Sequence, residues 1–270
     1  MKRFLLLPVL LLSGLLFAQP AVKVFHERLP DGGGFVLYGN NEEWYPVSVF
    51  LDLKLDNLAF SEGGKTQFLL PPRSEKLRIG DVKPEKAGTA FKFSFRYNTA
   101  TGDVDAVHDD SYVYDLPFAT GGSFLLFQGY NGNFSHRGES ALDFTMPEGT
   151  EIRAAREGTV VKVVQQHTQA CASESCKQYN NYVTIRHPDG TFGHYAHIAP
   201  NGALVKLGDS VRRGDPIARS GNTGWTSGPH LHFVVYRGDF GKWKTLPTRF
   251  RVSAGETGAL KEGVTYTRTY

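Results

Sequence analysis

The tripeptide His230-Leu231-His232, running directly into Phe233-Val234-Val235-Tyr236, constrains this chain more than any other feature. In an extended strand, residues two apart point to the same side, so His230 and His232 aim at one point. Polar nitrogens on the face of a strongly apolar strand cost free energy unless they are paired or bound. The segment therefore predicts a β domain with a polar centre on one sheet face. His136 and Asp143 lie upstream and His197 between, enough N and O donors for one zinc ion with imidazole left over for catalysis.

The beginning of the chain indicates where it works. Lys2 and Arg3 precede an apolar run from Phe4 to Ala18, which Gln19-Pro20 ends. A basic start and an apolar run too short to span a bilayer comfortably read as a signal peptide, residues 1–18, with Ala18 last. The alternative is an uncleaved membrane anchor. No Cys follows the run, which speaks against a lipoprotein, and no other segment is apolar enough to span. The expectation is an exported protein of the periplasm or of the extracellular space and cell wall, with no integral membrane segment after cleavage.

About 250 residues then remain, enough for two modest domains with their own cores. The formal charge of +3 falls by two, to +1, without Lys2 and Arg3. Such a balance favours neither a nucleic-acid binder nor a polybasic membrane binder. Cys171 and Cys176 share one short polar stretch, and in an exported chain a local disulfide is the natural expectation. Closing so small a loop stabilises by about 2 kcal/mol at most, so its expected role is to pin a hairpin tip. The spacing is wrong for a CxxC redox or metal pair.

Two all-β domains are predicted. Residues 22–118 read as short strands and turns: Phe35-Val36-Leu37-Tyr38, the stretch Val47 to Leu53, and the clean alternation Lys92 to Tyr97. No segment sustains a helical period, so a small N-terminal β-sandwich is expected. Tyr112 to Pro117 reads as its last strand, and Ala119 to Gly122 as a linker. His26 and His108 stand alone, and Asp109-Asp110 reads as a solvated turn. Residues 123–250 form the second domain, a compact antiparallel β unit of barrel-sandwich hybrid type. Gly149 to Ile152 ahead of Gly158 resembles Gly208 to Val211 ahead of Gly214, which suggests two related halves. Residues 251–270 form a polar C-terminal tail that adds one strand or docks on the surface.

Within the second domain the candidates differ in weight. His136 follows a loop, and Asp143 is a carboxylate among apolar neighbours at a strand start, where a cation is a good partner. His194 and His197 are three apart and would face opposite sides of a regular strand, so one of them is expected in the site. His194 is held as a candidate beside the site. His167 and His187 read as surface residues. There is no HExxH, which excludes the plan with a Glu base on a helix.

These residues sit in longer motifs. Ser135-His136-Arg137-Gly138, Asp143-Phe144 and Pro147-Glu148-Gly149-Thr150 come first. Gly193 to Ile198 follows, and then Gly221-Asn222-Thr223-Gly224 with Gly228-Pro229-His230-Leu231-His232-Phe233. In this order the second domain resembles the lysostaphin-type (LytM-like) peptidoglycan zinc metallo-endopeptidases. The resemblance implies that His136, Asp143 and His232 hold zinc, that His197 and His230 are catalytic, and that a groove crosses the metal. Many members place three residues between the first His and the Asp. Here six intervene, Arg137 through Leu142, which a bulge or short loop would accommodate.

On those assignments, three protein ligands leave zinc a position for water, whose pKa falls from 15.7 to roughly 7. His197 or His230 then handles the proton and the tetrahedral oxyanion. Asn222 and Trp225 belong to a Gly-rich segment expected to wall the groove, with Trp225 able to cover a bound peptide. The expected activity is hydrolysis of peptide bonds in peptidoglycan cross-links or stems, one Zn2+ per chain. A cell-wall or divisome protein is a candidate partner for the first domain. Two alternatives stay open: a catalytically silent regulator of a cell-wall amidase, and a binding module whose structural zinc takes His194 as a fourth ligand. All five family positions are filled, which favours the enzyme.

Overall fold

Alternation builds the first half of the molecule. Along the strand Val47–Asp56 the residues Val49, Leu51, Leu53 and Leu55 face inward, and along Lys92–Thr101 so do Phe93, Phe95 and Tyr97. The two strands pair antiparallel with Leu51 opposite Tyr97, Leu53 opposite Phe95 and Asp52 opposite Arg96, so apolar and charged partners match on their own faces. Gln67–Leu70 completes this sheet. A second sheet, Val22–Arg28, Phe35–Asn41, Ser74–Pro84 and Leu58–Phe60 in that order, supplies Val24, Leu37, Phe60, Ile79 and Val82 to the same core. This is a two-sheet sandwich.

The computed structural model describes residues 20–30, 32–86 and 88–270; the signal peptide expected over residues 1–18 lies outside them. Among the described residues, no helix is long and apolar enough to cross a membrane.

The second half is built on one long antiparallel sheet. Its order is Ser210–Val211, Gly158–Val164, Tyr182–Arg186, Phe192–Ala196, His230–Asp239, Ala141–Thr145, Ser123–Gln128 and Thr265–Thr267. Lys242–Leu246 pairs with the far half of His230–Asp239. One face carries Leu142, Phe144, Val183, Ile185, Tyr195, Leu231, Phe233 and Val235. A smaller sheet of Glu151–Arg153, Pro216–Ser220 and Ile198–Ala203 supplies Ile152, Ile198, Ile217 and Ala218 to the same core. Each large apolar side chain so buried contributes about 1.5–3 kcal/mol. Apart from one 3-10 turn, Glu174–Tyr179, the described residues are all-β as expected, but the strand order is open and no closed barrel forms among them. The two glycine-punctuated hooks interlock: Glu151–Arg153 pairs with Pro216–Ser220, and Ser210–Val211 with Gly158–Val164.

One expectation about the borders changes. Tyr112 to Pro117 does not close the first sandwich. Tyr114, Leu116 and Phe118 are buried in the second core, and Val113–Tyr114 pairs parallel with Arg249–Ser253. Amphipathic alternation marks a strand but does not say which core receives it. Of the two roles expected for the last residues, the structure shows the added strand. Thr265–Thr267 pairs with Ser123–Gln128 and covers what would be a bare sheet edge. Beyond it, buried Arg268 binds Asp115, which Arg251 also contacts, both at 3.0 Å.

The first domain rests on the sheet face opposite the main core. Tyr45 and Val47 pack with Val161, Phe192 and Tyr236, the rings of Tyr45 and Phe192 meeting edge to face at 5.7 Å. The rest of that face carries the histidines.

Candidate metal centre and active site

Five residues on five neighbouring strands stand in one row across the sheet. Gln128 pairs with Asp143, Asp143 with His232, His232 with Ala196, and Ala196 with Tyr182. Directly paired residues share a face, so this row is the floor of the site. His230, two residues from His232, pairs with Thr145 on the same face. The alternation that predicted a common aim for His230 and His232 is the alternation the sheet shows.

His136, Asp143 and His232 form the one group of three or more potential metal-binding side chains among the described residues, their ligand atoms all within 4.8 Å of one another. His136 sits in the loop between Ser123–Gln128 and Ala141–Thr145. That loop is folded by Asn131 N–H donating to Glu139 O and Glu139 N–H to His136 O, both 2.9 Å. The longer spacing between His136 and Asp143 is this loop, which brings His136 back over the strand. His136 Nδ1 donates to Gly129 O at 3.1 Å, and a carbonyl can only accept, so Nε2 is the unprotonated nitrogen. Nε2 is buried, makes no hydrogen bond, and stands 3.2 Å from Asp143 Oδ2. His232 turns Nδ1 to Asp143 Oδ1 at 2.8 Å.

Charge at this centre is tightly balanced. Burial favours the neutral acid for Asp143, yet the adjoining His136 and His232 hold its pKa well below the usual carboxylate range. Burial likewise opposes a proton on His136, and the Asp143 carboxylate outweighs it, leaving that pKa raised. A dense, buried negative charge facing imidazole nitrogens is a site suited to a cation.

His197 reaches the same place by a turn. It follows the strand Phe192–Ala196 with φ of 62°, in the left-handed region that side chains other than glycine seldom adopt. Two residues of a distant loop hold the turn: His197 N–H donates to Asn180 Oδ1 at 3.0 Å, and Ile198 N–H to Asn181 O at 3.2 Å. The ring then lies 4.5 Å from that of His230 and 5.9 Å from that of His232, centre to centre. His197 Nδ1 donates to Thr223 O at 2.7 Å, and His230 Nδ1 to Gly228 O at 2.8 Å. As at His136, both rings are left with an unprotonated Nε2. His230 Nε2 stands 3.8 Å from Asp143 Oδ1. Burial, and then the neighbouring His230 and His232, push the His197 pKa down to about 3; burial lowers that of His230 against the pull of Asp143.

His194 lies on the same face but outside this group. It pairs with Val234, hydrogen-bonds Thr184 Oγ1 through Nδ1 at 2.9 Å, and packs among Tyr182, Tyr236 and Trp243. Asn222 accepts a 2.9 Å hydrogen bond from Thr226, whose hydroxyl lies 3.3 Å from His230 Nδ1. The Trp225 indole N–H donates to Ala172 O at 3.1 Å, and its ring meets that of exposed Phe134, 6.4 Å between centres. Cys171 and Cys176 are joined in a disulfide, within the loop that connects Gly158–Val164 to Tyr182–Arg186. That loop also pairs in parallel with Gly224–Trp225, so the disulfide backs the segment leading to His230. His187 is not a surface residue: it is 1% exposed, donates from Nδ1 to Glu157 O at 2.8 Å, and lies away from the metal group.

Some contributors leave no local pattern in the sequence. Asn180, Asn181, Thr223 and Thr226 hold the catalytic candidates through hydrogen bonds that no local pattern announces. Gln128 left a faint signal, a polar residue after Phe124-Leu125-Leu126-Phe127 at a strand end.

Known proteins share this arrangement of sequence. Residues 137–243 match Peptidase family M23, a span that holds Asp143, His194, His197, Asn222, Trp225, His230 and His232 and begins one residue after His136. An "Uncharacterized metalloprotease" of Buchnera aphidicola is 36% identical over 104 residues, 38% of this chain and 24% of that protein. "Peptidoglycan DD-endopeptidase ShyA" of Vibrio cholerae is 39% identical over 100 residues, 37% of this chain and 20% of that protein. The aligned segment thus spans less than a quarter of either relative. Among solved structures, the catalytic domain of the antimicrobial peptidase lysostaphin from Staphylococcus simulans is 25% identical and covers 46% of this chain and 87% of that one. Its TM-score is 0.34, too loose a superposition to add to the sequence match.

Proposed function

We propose that this chain, whose residues 137–243 match Peptidase family M23, is an exported zinc metallo-endopeptidase that hydrolyses peptide bonds of peptidoglycan, in cross-links or stem peptides. The observation that carries the proposal is the convergence of His136, Asp143 and His232 within 4.8 Å, with His197 and His230 beside them.

The donor set fits the metal. Two imidazoles and a carboxylate suit zinc, and three protein ligands leave a position open. His136 Nε2 is buried and unpartnered, its tautomer set by Gly129, as a ligand nitrogen requires. The His232 side chain is 25% exposed, so the centre opens to solvent on that side. His194, bonded to Thr184 and enclosed by aromatic rings, stands apart from the ligand group, which speaks against a closed four-ligand structural site. When bound, zinc supplies a Lewis acid for the peptide carbonyl and lowers the pKa of water from 15.7 to about 7.

The protein's own part is proton handling and orientation. With Nδ1 of His197 and His230 committed to the Thr223 and Gly228 carbonyls, each ring works through Nε2. Both are held neutral at pH 7 by burial, so Nε2 is free to take the proton of the attacking water. The proton taken up at Nε2 is then delivered to the amine nitrogen that leaves. Phe134 and Trp225 form an aromatic edge beside the centre and would line a bound peptide.

The test is mass spectrometry of soluble fragments released from purified peptidoglycan by the mature protein and by a His232→Ala variant. New peptide termini with wild type and none with the variant are expected. Silence from folded, zinc-loaded wild type on several wall chemotypes contradicts the proposal and favours a regulator.

A further inference from the structure

We infer that Gln128 is a positioning residue of the metal centre: it orients the Asp143 carboxylate and, with the same side chain, holds the loop that delivers His136. The inference rests on the metal-centre proposal above and extends it to a residue outside the matched span 137–243.

The side chain of Gln128 is 3% exposed and hydrogen-bonded at both ends. Nε2 donates to Asp143 Oδ2 and to Ser135 Oγ, both at 2.8 Å. Oε1 accepts from Phe134 N–H at 3.1 Å and Ser135 N–H at 3.0 Å. The amide thus uses two donors and two acceptor directions, and none of the four goes to water. On one side stands a ligand carboxylate, and on the other the two residues before His136.

The backbone is built to aim it there. Asp143 pairs with Gln128 but Phe144 pairs with Leu126, so Phe127 is an extra residue, a β-bulge. Bulges re-aim side chains and recur beside active sites. Leu126 keeps its place in the core. Phe127 is thrown outward against His230, 5.6 Å between ring centres, and Gln128 turns onto the site face. Gly132 makes room: a Cβ there would fall 2.4 Å from Gln128 Cγ.

The consequence is chemical. By donating to Oδ2, Gln128 stops the carboxylate from rotating and commits one oxygen, while Oδ1 stays turned towards His232 and His230. Partners of metal ligands typically govern affinity 10–100-fold by fixing ligand orientation. Because the same amide sets the His136 loop, two of the three ligands depend on one side chain. This also explains how the chain tolerates a long connection between His136 and Asp143: Gln128 bridges its two ends.

The test measures zinc affinity of the full mature chain by competition with a chromophoric chelator, without substrate. Gln128→Met keeps the length and removes all four hydrogen bonds; Ser135→Ala removes only one and leaves the bond to Asp143. Gln128→Met is expected to weaken zinc binding about 10–100-fold, with Ser135→Ala within about two-fold of wild type. Thermal unfolding of the metal-free proteins reports folding separately. If Gln128→Met does not fold, Gln128→Glu retains the acceptor for the Phe134 and Ser135 amides, loses the donor to Asp143, and is expected to show the same weakening. Zinc affinity within about two-fold of wild type in either folded Gln128 variant overturns the inference. Wild type that binds zinc but releases nothing from peptidoglycan overturns only the proposed activity, because the affinity comparison still stands.

Discussion

Asp143 and His232 face each other directly across two antiparallel strands, His232 Nδ1 2.8 Å from Asp143 Oδ1. Residues 89 positions apart in the chain thus share one rung of the sheet. Because the rung is part of the ladder, neither side chain has to be recruited by a flexible loop. The first expectation concerns this pair. Asp143→Asn and His232→Ala should each abolish stoichiometric zinc, measured by elemental analysis of the purified protein. Cleavage should fall by more than the roughly 100-fold expected for loss of an outer partner.

His197→Ala and His230→Ala should behave differently. Their rings stand beside the group that could hold the metal and are tied to the Thr223 and Gly228 carbonyls. Each variant should keep its zinc and lose activity by about 10²–10⁴-fold. The pairing of metal content with rate on a defined peptide separates the two classes of residue. Loss of zinc in either variant would move that histidine into the ligand set.

Acid should weaken the fold through His187. Burial lowers its pKa from 6.5 to about 4. As pH falls below about 6.5, the unfolded chain takes up a proton that the folded chain refuses, so stability drops until about pH 4, where the folded state binds it too. The loss is on the order of 3 kcal/mol at most, spread over that window. Thermal unfolding of wild type and of His187→Gln between pH 7 and pH 4 checks this: the variant should start lower and show a flatter dependence on pH. An equally steep variant would assign the acid sensitivity to other groups.

Opening the disulfide should reach the active site. Cys171 pairs with Trp225, and Thr226 N–H donates to Cys171 O at 3.1 Å, two bonds along a path that ends at His230. Cys171→Ser with Cys176→Ser should cost about 2 kcal/mol or less in stability. Its larger effect should be on KM, because Trp225 and Phe134 are proposed to line the bound peptide, and this is read from steady-state kinetics on a soluble wall peptide. Unchanged KM would confine the disulfide to a structural role.

How much of this was legible in the sequence depends on how local each constraint is. His230 and His232 could be paired from a period of two, and Asp143 singled out as a carboxylate among apolar neighbours, because both facts lie within a few residues. His197 could not be placed by strand periodicity. It leaves the strand in a left-handed turn that Asn180 and Asn181 hold from another loop. His187 does lie in a turn but not at the surface, because its ring enters the protein where Gly193 has no side chain; a Cβ there would lie 2.8 Å from His187 Nε2. The destination of Tyr114 was equally hidden, since its alternation is satisfied by either core and only the pairing with Phe250 decides. Long-range partners, rather than local pattern, settled each of these.

The most direct test of the account is a crystal structure of the zinc-loaded mature protein with anomalous data collected at the zinc edge. The prediction is a single strong peak enclosed by His136 Nε2, the Asp143 carboxylate and His232 Nδ1, with no fourth protein ligand and with His197 and His230 beside it. A peak elsewhere, or one ligated by His194 as well, would contradict the catalytic centre described here.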